Sequence, residues 1–409
     1  MSGIKRACIT AIQDLLSRFP CVVVLGARQI GKTTLLRQVF PEAPFFDLER
    51  PADYDRISYD CEFFLSQWKE PILLDEAQAL PELFPALRVV IDGQRDWNGR
   101  FLLSGSSSPD LTHSVTESLA GRVAVFDLGG FEMSEMWQEA PQDFYQMAAS
   151  GNPEDLLQLE PRISNQQLFE SCWSGAYPEP FLKRKDRRFV NLWQENYFRT
   201  YIDRDVRRLF PGLNLQAYRT FIRMLATASG QVVNAARLAS SLGVAQPTVR
   251  KYLQIAEGTF LWRSLPSFRK NIAKRLTKAP RGYLRDPGLL NHVLGISSPE
   301  ALRSHLHLGA IWEGFIIEQL LVGFQNRMIA IRPHFYRTHH QAEIDLVLES
   351  EFGILPIEIK VGFRTERKFL KALEAFIAEQ GCPYGIVINN VESTAWLTPK
   401  IVQIPASCL

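Results

Sequence analysis

The 409-residue sequence predicts an α/β chain built of several modules, and three observations carry that reading. An apolar, β-branched run near the amino end enters a glycine-containing loop and then a helix. The middle of the chain is helical and strongly basic. The last third alternates helix and strand in the order αβββαβ. At roughly 100–200 residues per domain, this length divides into about two to four domains. A hydrophobic content of 46% with 22% charged residues is globular and excludes a disordered or collagen-like chain. The cysteines Cys8, Cys21, Cys61, Cys172, Cys382 and Cys408 are scattered, with no CxxC pair, and read as reduced thiols. Lys5, Arg6 and Asp14 interrupt the apolar periodicity of the amino terminus, and no apolar run reaches about 18 residues. A cytoplasmic protein with no membrane contact is expected.

The first helix carries Ile4, Ile9, Ile12, Leu15 and Leu16 at helical spacing. The run Cys21-Val22-Val23-Val24-Leu25 then reads as a strand buried on both faces, as in a parallel sheet. It enters Gly26-Ala27-Arg28-Gln29-Ile30-Gly31-Lys32-Thr33-Thr34, which matches GxxxxGK[ST] at every position, and the helical segment 35–40 follows. Strand, loop and helix in this order define a phosphate-binding P-loop. Gly26 and Gly31 let backbone N–H groups converge on a phosphate, Lys32 reaches the β- and γ-oxygens, and the Thr33 hydroxyl ligates Mg²⁺. A second strand, Ile72-Leu73-Leu74-Asp75-Glu76, ends in two carboxylates: Asp75 to hold Mg²⁺ through water and Glu76 to polarise the attacking water. A third, 100–103, runs into Ser104-Gly105-Ser106-Ser107-Ser108, which is either a γ-phosphate sensor or an ordinary Gly/Ser loop. Arg122, before the strand 123–128, is either an arginine finger for a neighbouring subunit or a surface ion-pair residue.

The segments GARQIGKTTL, ILLDEAQ, LLSGSSS and ESLAGRVAVFDLGGFEMSE resemble the core of a prokaryotic family of AAA-type P-loop ATPases. That family lies near the origin-recognition and STAND-like clade and carries a C-terminal domain of unknown function numbered 4143. The resemblance implies ATP rather than GTP and raises Ser104, Ser106 and Arg122 as sensor and finger residues; a homo-oligomer is the expected assembly if Arg122 works in trans.

The formal net charge of +2 conceals a segregation: residues 183–285 hold 22 basic against 5 acidic residues, and 16 of the 22 are arginine. Arginine's planar fork suits phosphate and base edges, so DNA is the expected partner. Residues 141–182 read as linker and short helices between an ATPase core over 1–140 and this basic region. Within the region a helix over 234–241, a turn at 242–244 and a second helix opened by Gln246 and Pro247 form a helix-turn-helix. Leu238, Ala239, Val244, Val249 and Leu253 are its packing set. Gln246, Thr248, Arg250 and Lys251 occupy the exposed early turns of the recognition helix, and Lys270, Lys274, Arg275 and Lys278 fall in a wing. Such modules serve either DNA or a protein interface.

Residues 286–409 predict a restriction-endonuclease-like domain. Asp345 followed by Glu358-Ile359-Lys360 resembles the metal-binding pattern of PD-(D/E)XK nucleases, with Glu313 on the preceding helix as an added acid, although Ile344 stands where the motif has proline. Asp345, Glu358 and Glu313 are candidate Mg²⁺ ligands, and Lys360 is the candidate to steady the attacking water. Either the site cleaves nucleic acid or the fold is kept for binding. The histidines His305, His307, His339 and His340 lack cysteine partners and read as loop or core residues. The function expected is an ATPase that couples ATP to DNA binding or remodelling. The alternative is a STAND-like switch that acts on a protein partner through an inactive nuclease-like fold.

Overall fold

A computed structural model describes residues 3–106, 118–139, 144–269, 279–338 and 342–409. Ser107, Ser108, the wing residues Lys270, Lys274, Arg275 and Lys278, and His339 and His340 lie outside the described residues. The chain forms two compact units, 1–130 with 258–260, and the remainder.

In the first unit the strands β1 (Cys21–Gly26), β2 (Phe45–Asp47), β3 (Ile72–Asp75), β4 (Phe101–Ser106) and β5 (Val123–Leu128) form one sheet in the order β2-β3-β4-β1-β5. Every pairing is parallel. β1 is an interior strand, paired on both sides and buried along its whole length, which is why its residues are uniformly apolar. β5 is the edge, and its burial alternates as expected of a strand with one covered face. The expected first helix spans Ile9–Arg18 and buries Ile9, Ile12, Leu15 and Leu16. One face of the sheet packs Val23, Leu25, Leu74 and Leu103 against Phe84 and Leu87 of the helix Leu83–Asp92. Each such side chain contributes on the order of 1.5–3 kcal/mol by leaving water.

The second unit begins with short helices and the helices Asn165–Ser174, Arg187–Thr200 and Leu215–Thr227. Between the last two, Tyr201–Val206 winds as a wider π-type turn. The expected helix pair is present as Ala235–Leu242 and Gln246–Gly258. Asn234 caps the first by accepting from the Arg237 N–H at 3.0 Å, and Gly243, at φ 70°, supplies the left-handed turn after it. Leu238, Ala239 and Val249 are buried, while Val244 and Leu253 are half-buried. The strands β6 (Gln231–Val232), β7 (Trp262–Leu265) and β8 (Arg281–Leu284) form a small sheet with β8 in the middle. Gly282 has to be glycine: an added Cβ would lie 2.1 Å from the indole of Trp262.

The helix Leu308–Asn326 is buried on nearly every side, in keeping with its apolar sequence. It precedes β9 (Ile331–Arg337), β10 (Glu343–Ser350), β11 (Gly353–Ile359), the helix Arg367–Gln380 and β12 (Gly385–Asn389), in the expected αβββαβ order. Two further strands, β13 (Ala395–Thr398) and β14 (Ile401–Pro405), complete a sheet in the order β13-β14-β12-β11-β10-β9. β9, β10 and β11 pair antiparallel, and β11 pairs parallel with β12. Leu373, Phe376 and Ile377 of the helix between β11 and β12 pack on Ile344, Val347, Val387 and Ile401.

Candidate nucleotide site and a buried acid cluster

The predicted phosphate loop leaves the end of β1 and closes at the helix Lys32–Val39. Two residues bend it: Gly31, at φ 101°, and Gln29, at φ 61°. A side chain at Gly31 would be strained there. Gly26 is excluded from change for another reason, since an added Cβ would sit 2.9 Å from the Leu128 carbonyl. Gly26→Ala is therefore expected to destabilise the first unit by about 1–3 kcal/mol, read as a lower melting temperature. An unchanged melt would show that β5 yields to the methyl group.

Lys32 is buried, and its ammonium donates to the carbonyls of Gly26 at 3.1 Å and Ala27 at 3.0 Å. The Thr33 hydroxyl donates to Asp75 Oδ2 at 2.6 Å, and the Ser104 hydroxyl donates to Asp75 Oδ1. Strand order explains the meeting: β4 lies between β1 and β3, so Ser104 stands beside the acid that ends β3, and Thr33 joins that acid to the loop after β1. Burial pushes the Asp75 carboxyl up, against the opposing bonds from Ser104 and Thr33. A hydroxyl and a carboxylate oxygen side by side are the hard donors that suit Mg²⁺, so these residues fit the ion.

Glu76 sits at φ 53°, ψ 48°, and its carboxylate accepts from Gln78 Nε2 at 2.5 Å. A non-glycine residue held in that left-handed region marks local strain of the kind found at functional sites. Its backbone N–H donates to Ser104 Oγ at 3.3 Å. Ser104 thus contacts Asp75 and Glu76, whereas Ser106 stands at the tip of β4, in register with Gly26. Arg122 makes a two-pronged ion pair with Asp92, at 2.7 and 2.8 Å. Sequence reasoning missed Arg6, whose buried guanidinium donates to the Ile30 carbonyl of the loop at 3.2 Å and to Gly129 and Gly130 at 2.9 and 3.0 Å. Nothing in the sequence marks this arginine apart from its place within an apolar periodicity.

In the helix pair Gln246, Arg250 and Lys251 are exposed and Thr248 is half-buried, all on the second helix.

Glu313, Asp345, Glu358 and Lys360 do come together, and Arg281 of β8 joins them. Lys360 Nζ lies 2.9 Å from Asp345 Oδ2 and 2.7 Å from Glu358 Oε1. The Arg281 guanidinium lies 3.1 Å from Glu313, 3.4 Å from Asp345 Oδ1 and 3.7 Å from Glu343. Asp345 Oδ2 also accepts from the Ile359 N–H at 2.9 Å, and the Tyr283 hydroxyl donates to Glu313. Burial and the neighbouring Asp345 charge push the Glu313 and Glu358 carboxyls well above their ordinary range. Lys360 and Arg281 are both held more firmly protonated, because the facing acids outweigh the cost of burial.

One acid oxygen, Glu358 Oε2, is buried without a hydrogen-bond partner. The expected Mg²⁺ ligands Glu313, Asp345 and Glu358 meet here with Arg281 and Lys360 on their oxygens. Among the described residues no group of three His, Cys, Asp or Glu is placed to hold a metal ion. The physical reason is that Arg281 and Lys360 take up the oxygens a metal would need. Arg281 belongs in sequence to the basic segment 183–285, and only the fold carries it to the acids.

Parallel sheet, phosphate loop and paired Thr33–Asp75 define the first unit as an AAA-type P-loop ATPase fold, and the model of an AAA domain matches residues 18–137. Models of two domains of unknown function, DUF8612 and DUF4143, match residues 165–300 and 308–409. The chain is 36% identical over 359 residues to the uncharacterized protein Rv2008c of Mycobacterium tuberculosis, covering 87% of this chain and 74% of that one. The uncharacterized protein Mb2031c of Mycobacterium bovis matches to the same extent. The chain belongs to the family of AAA-domain proteins that these two mycobacterial proteins represent. Among solved structures, the Walker-type ATPase PABY2304 of Pyrococcus abyssi is 13% identical, with 70% of this chain and 94% of that one covered at a TM-score of 0.46. Among the described residues no helix is long and apolar enough to cross a membrane.

Proposed function

We propose that the protein binds and hydrolyses ATP with Mg²⁺ and couples that cycle to DNA binding or remodelling by its basic second unit. The observation that carries the reading is the Thr33–Asp75 hydrogen bond at the mouth of the phosphate loop. Backbone N–H groups of 26–34 cradle the phosphates, Lys32 exchanges its two carbonyl partners for phosphate oxygens, and Thr33 and Asp75 hold the Mg²⁺. Glu76 takes the proton of the attacking water, with Ser104 keeping Asp75 and Glu76 in place and Ser106 facing the γ-phosphate side. Arg122 serves a neighbouring subunit of a cytoplasmic homo-oligomer once it releases Asp92.

The DNA element is the winged helix-turn-helix, with Gln246, Thr248, Arg250 and Lys251 on the duplex. Arg250→Ala with Lys251→Ala is expected to weaken duplex binding and to lower the slope of log affinity against log salt by about 2. An unchanged slope in a titration from low to moderate salt moves this surface to a protein partner, the STAND-like alternative.

The C-terminal sheet is nuclease-like in the order of its elements and in bringing Asp345, Glu358 and Lys360 together. The internal pairing of its acids with Arg281 and Lys360 favours a binding fold without cleavage, because a metal has to displace Arg281 first. No Mg²⁺- or Mn²⁺-dependent cleavage of single-stranded, duplex or branched DNA is expected. Cleavage that disappears in Asp345→Ala or Lys360→Ala would establish the nuclease instead.

A further inference from the structure

A cleft of about 620 Å³ opens between the helices Arg187–Thr200 and Leu215–Thr227 and the end of the helix Pro287–Val293. Glu195, Phe198 and Arg199 reach it from the first of these at helical spacing, Ile202 from the turn that follows, and Arg219, Ile222 and Arg223 from the second. The three arginines are exposed, against the single carboxylate of Glu195. Arg199 and Arg223 make no hydrogen bond or ion pair through their guanidinium groups among the described residues. Among the described residues their planar donor forks therefore remain open to an anion such as a phosphate.

The rest of the lining is apolar and aromatic. Phe198 and His292 stack with ring centroids 5.9 Å apart and planes at 24°, and the half-buried imidazole borders the cleft. Ile202 belongs to the π-type turn Tyr201–Val206. Such turns cluster at functional sites because they redirect side chains that a regular helix would stagger.

We infer that this cleft is a binding site for single-stranded nucleic acid, in which Arg199, Arg219 and Arg223 grip consecutive phosphodiesters and one base lies against His292. The inference rests on the nucleic-acid reading of the basic region but assigns a different surface from the helix-turn-helix. Arg219 and Arg223 are one turn apart, so their Cβ atoms are about 5–6 Å from each other, the scale on which phosphates follow one another along a strand. A cleft of this size takes one or two nucleotides, and a duplex is too wide to enter it. An acidic peptide would satisfy the arginines but leave the ring-lined wall without a partner, whereas a nucleotide uses both.

The test is fluorescence anisotropy with labelled oligo-dT, oligo-rU and a hairpin duplex, on the full chain and two double variants. Arg199→Glu with Arg223→Glu is expected to weaken both single strands at least ~10-fold and to leave the duplex unchanged. Arg250→Ala with Lys251→Ala should do the reverse. Because the reversed residues are exposed, matching melts confirm folding, and Arg199→Gln with Arg223→Gln gives the same direction without repulsion. Preference between oligo-dT and oligo-rU tells DNA from RNA, and either supports the site. Unchanged single-strand affinity in the cleft variants overturns this inference alone, and the duplex arm still reports on the helix-turn-helix. Competition by dTMP as strong as by the strand, or by polyglutamate as strong as by oligo-dT, also overturns it. Absence of any binding to the wild-type chain overturns both readings.

Discussion

Replacing Lys32 by alanine is expected to cut ATP turnover by at least ~100-fold, the usual consequence of removing one preorganised donor to a transferring phosphoryl group. The ammonium is buried at the loop, 3.1 and 3.0 Å from the carbonyls of Gly26 and Ala27, so its position is set before a nucleotide arrives. Glu76→Gln separates binding from chemistry. It leaves the phosphate loop and the Thr33–Asp75 pair intact and is expected to retain ATP while losing about 10²–10⁴-fold in kcat. Steady-state phosphate release with parallel binding of a fluorescent ATP analogue reads both. Full turnover in Lys32→Ala would remove the ATPase reading, and weak nucleotide binding in Glu76→Gln would make Glu76 a structural residue of its strained turn.

The second large effect is on stability. Glu318, in the long buried helix, is 8% exposed and sits between Arg263 at 2.6 Å and Arg285 at 2.6 Å. Burial alone would push its carboxyl up, but the two guanidinium groups outweigh this and bring it down to about 2. Glu318→Gln leaves two partly buried arginines facing a neutral amide and is expected to cost about 3–5 kcal/mol, seen in the second unit's unfolding transition. The sign of the pH dependence follows from the depressed value. The pair stabilises fully above the ordinary carboxylate value of 4.5, and its contribution fades as pH falls from there toward about 2. The wild type should therefore lose stability over that window more steeply than Glu318→Gln. A variant within ~0.5 kcal/mol of wild type at pH 7 would mean that the arginines find water when the acid is gone.

The candidate sites differ in how far they could be read from the chain. The phosphate loop is contiguous, and its chemistry depends on backbone geometry that Gly26 and Gly31 announce by their type. Asp75 and Glu76 were legible because an apolar parallel strand must end at the same sheet edge as β1. The role of Ser104 was legible only in part. Its place after a strand suggested a sensor, while the order β3-β4-β1 turns its hydroxyl onto Asp75. For Arg122 the sequence allows two roles, and its geometry here is the ion pair with Asp92. In the C-terminal domain the alternation of Ile357-Glu358-Ile359-Lys360 places acid and lysine on one side, where Lys360 Nζ lies 2.7 Å from Glu358 Oε1. β13 and β14 went unread because they are short and only one of them is well buried.

The sequence by itself determined the local motifs: the phosphate loop, the acid-ended strand, the helix-turn-helix and the segregation of positive charge into 183–285. These depend on residue type at short separation, where backbone periodicity and turn chemistry act. Only the tertiary structure decided which charges meet. Arg6 reaches Ile30, Arg281 reaches Glu313 and Asp345, and Arg263 and Arg285 reach Glu318, all across long stretches of chain. Buried ion pairs form where packing brings side chains together and water is excluded, and neither condition has a local signature. The basic segment 183–285 therefore holds two kinds of arginine: some neutralised inside the second unit, and others, such as Arg199, Arg223 and Arg250, left at its surface.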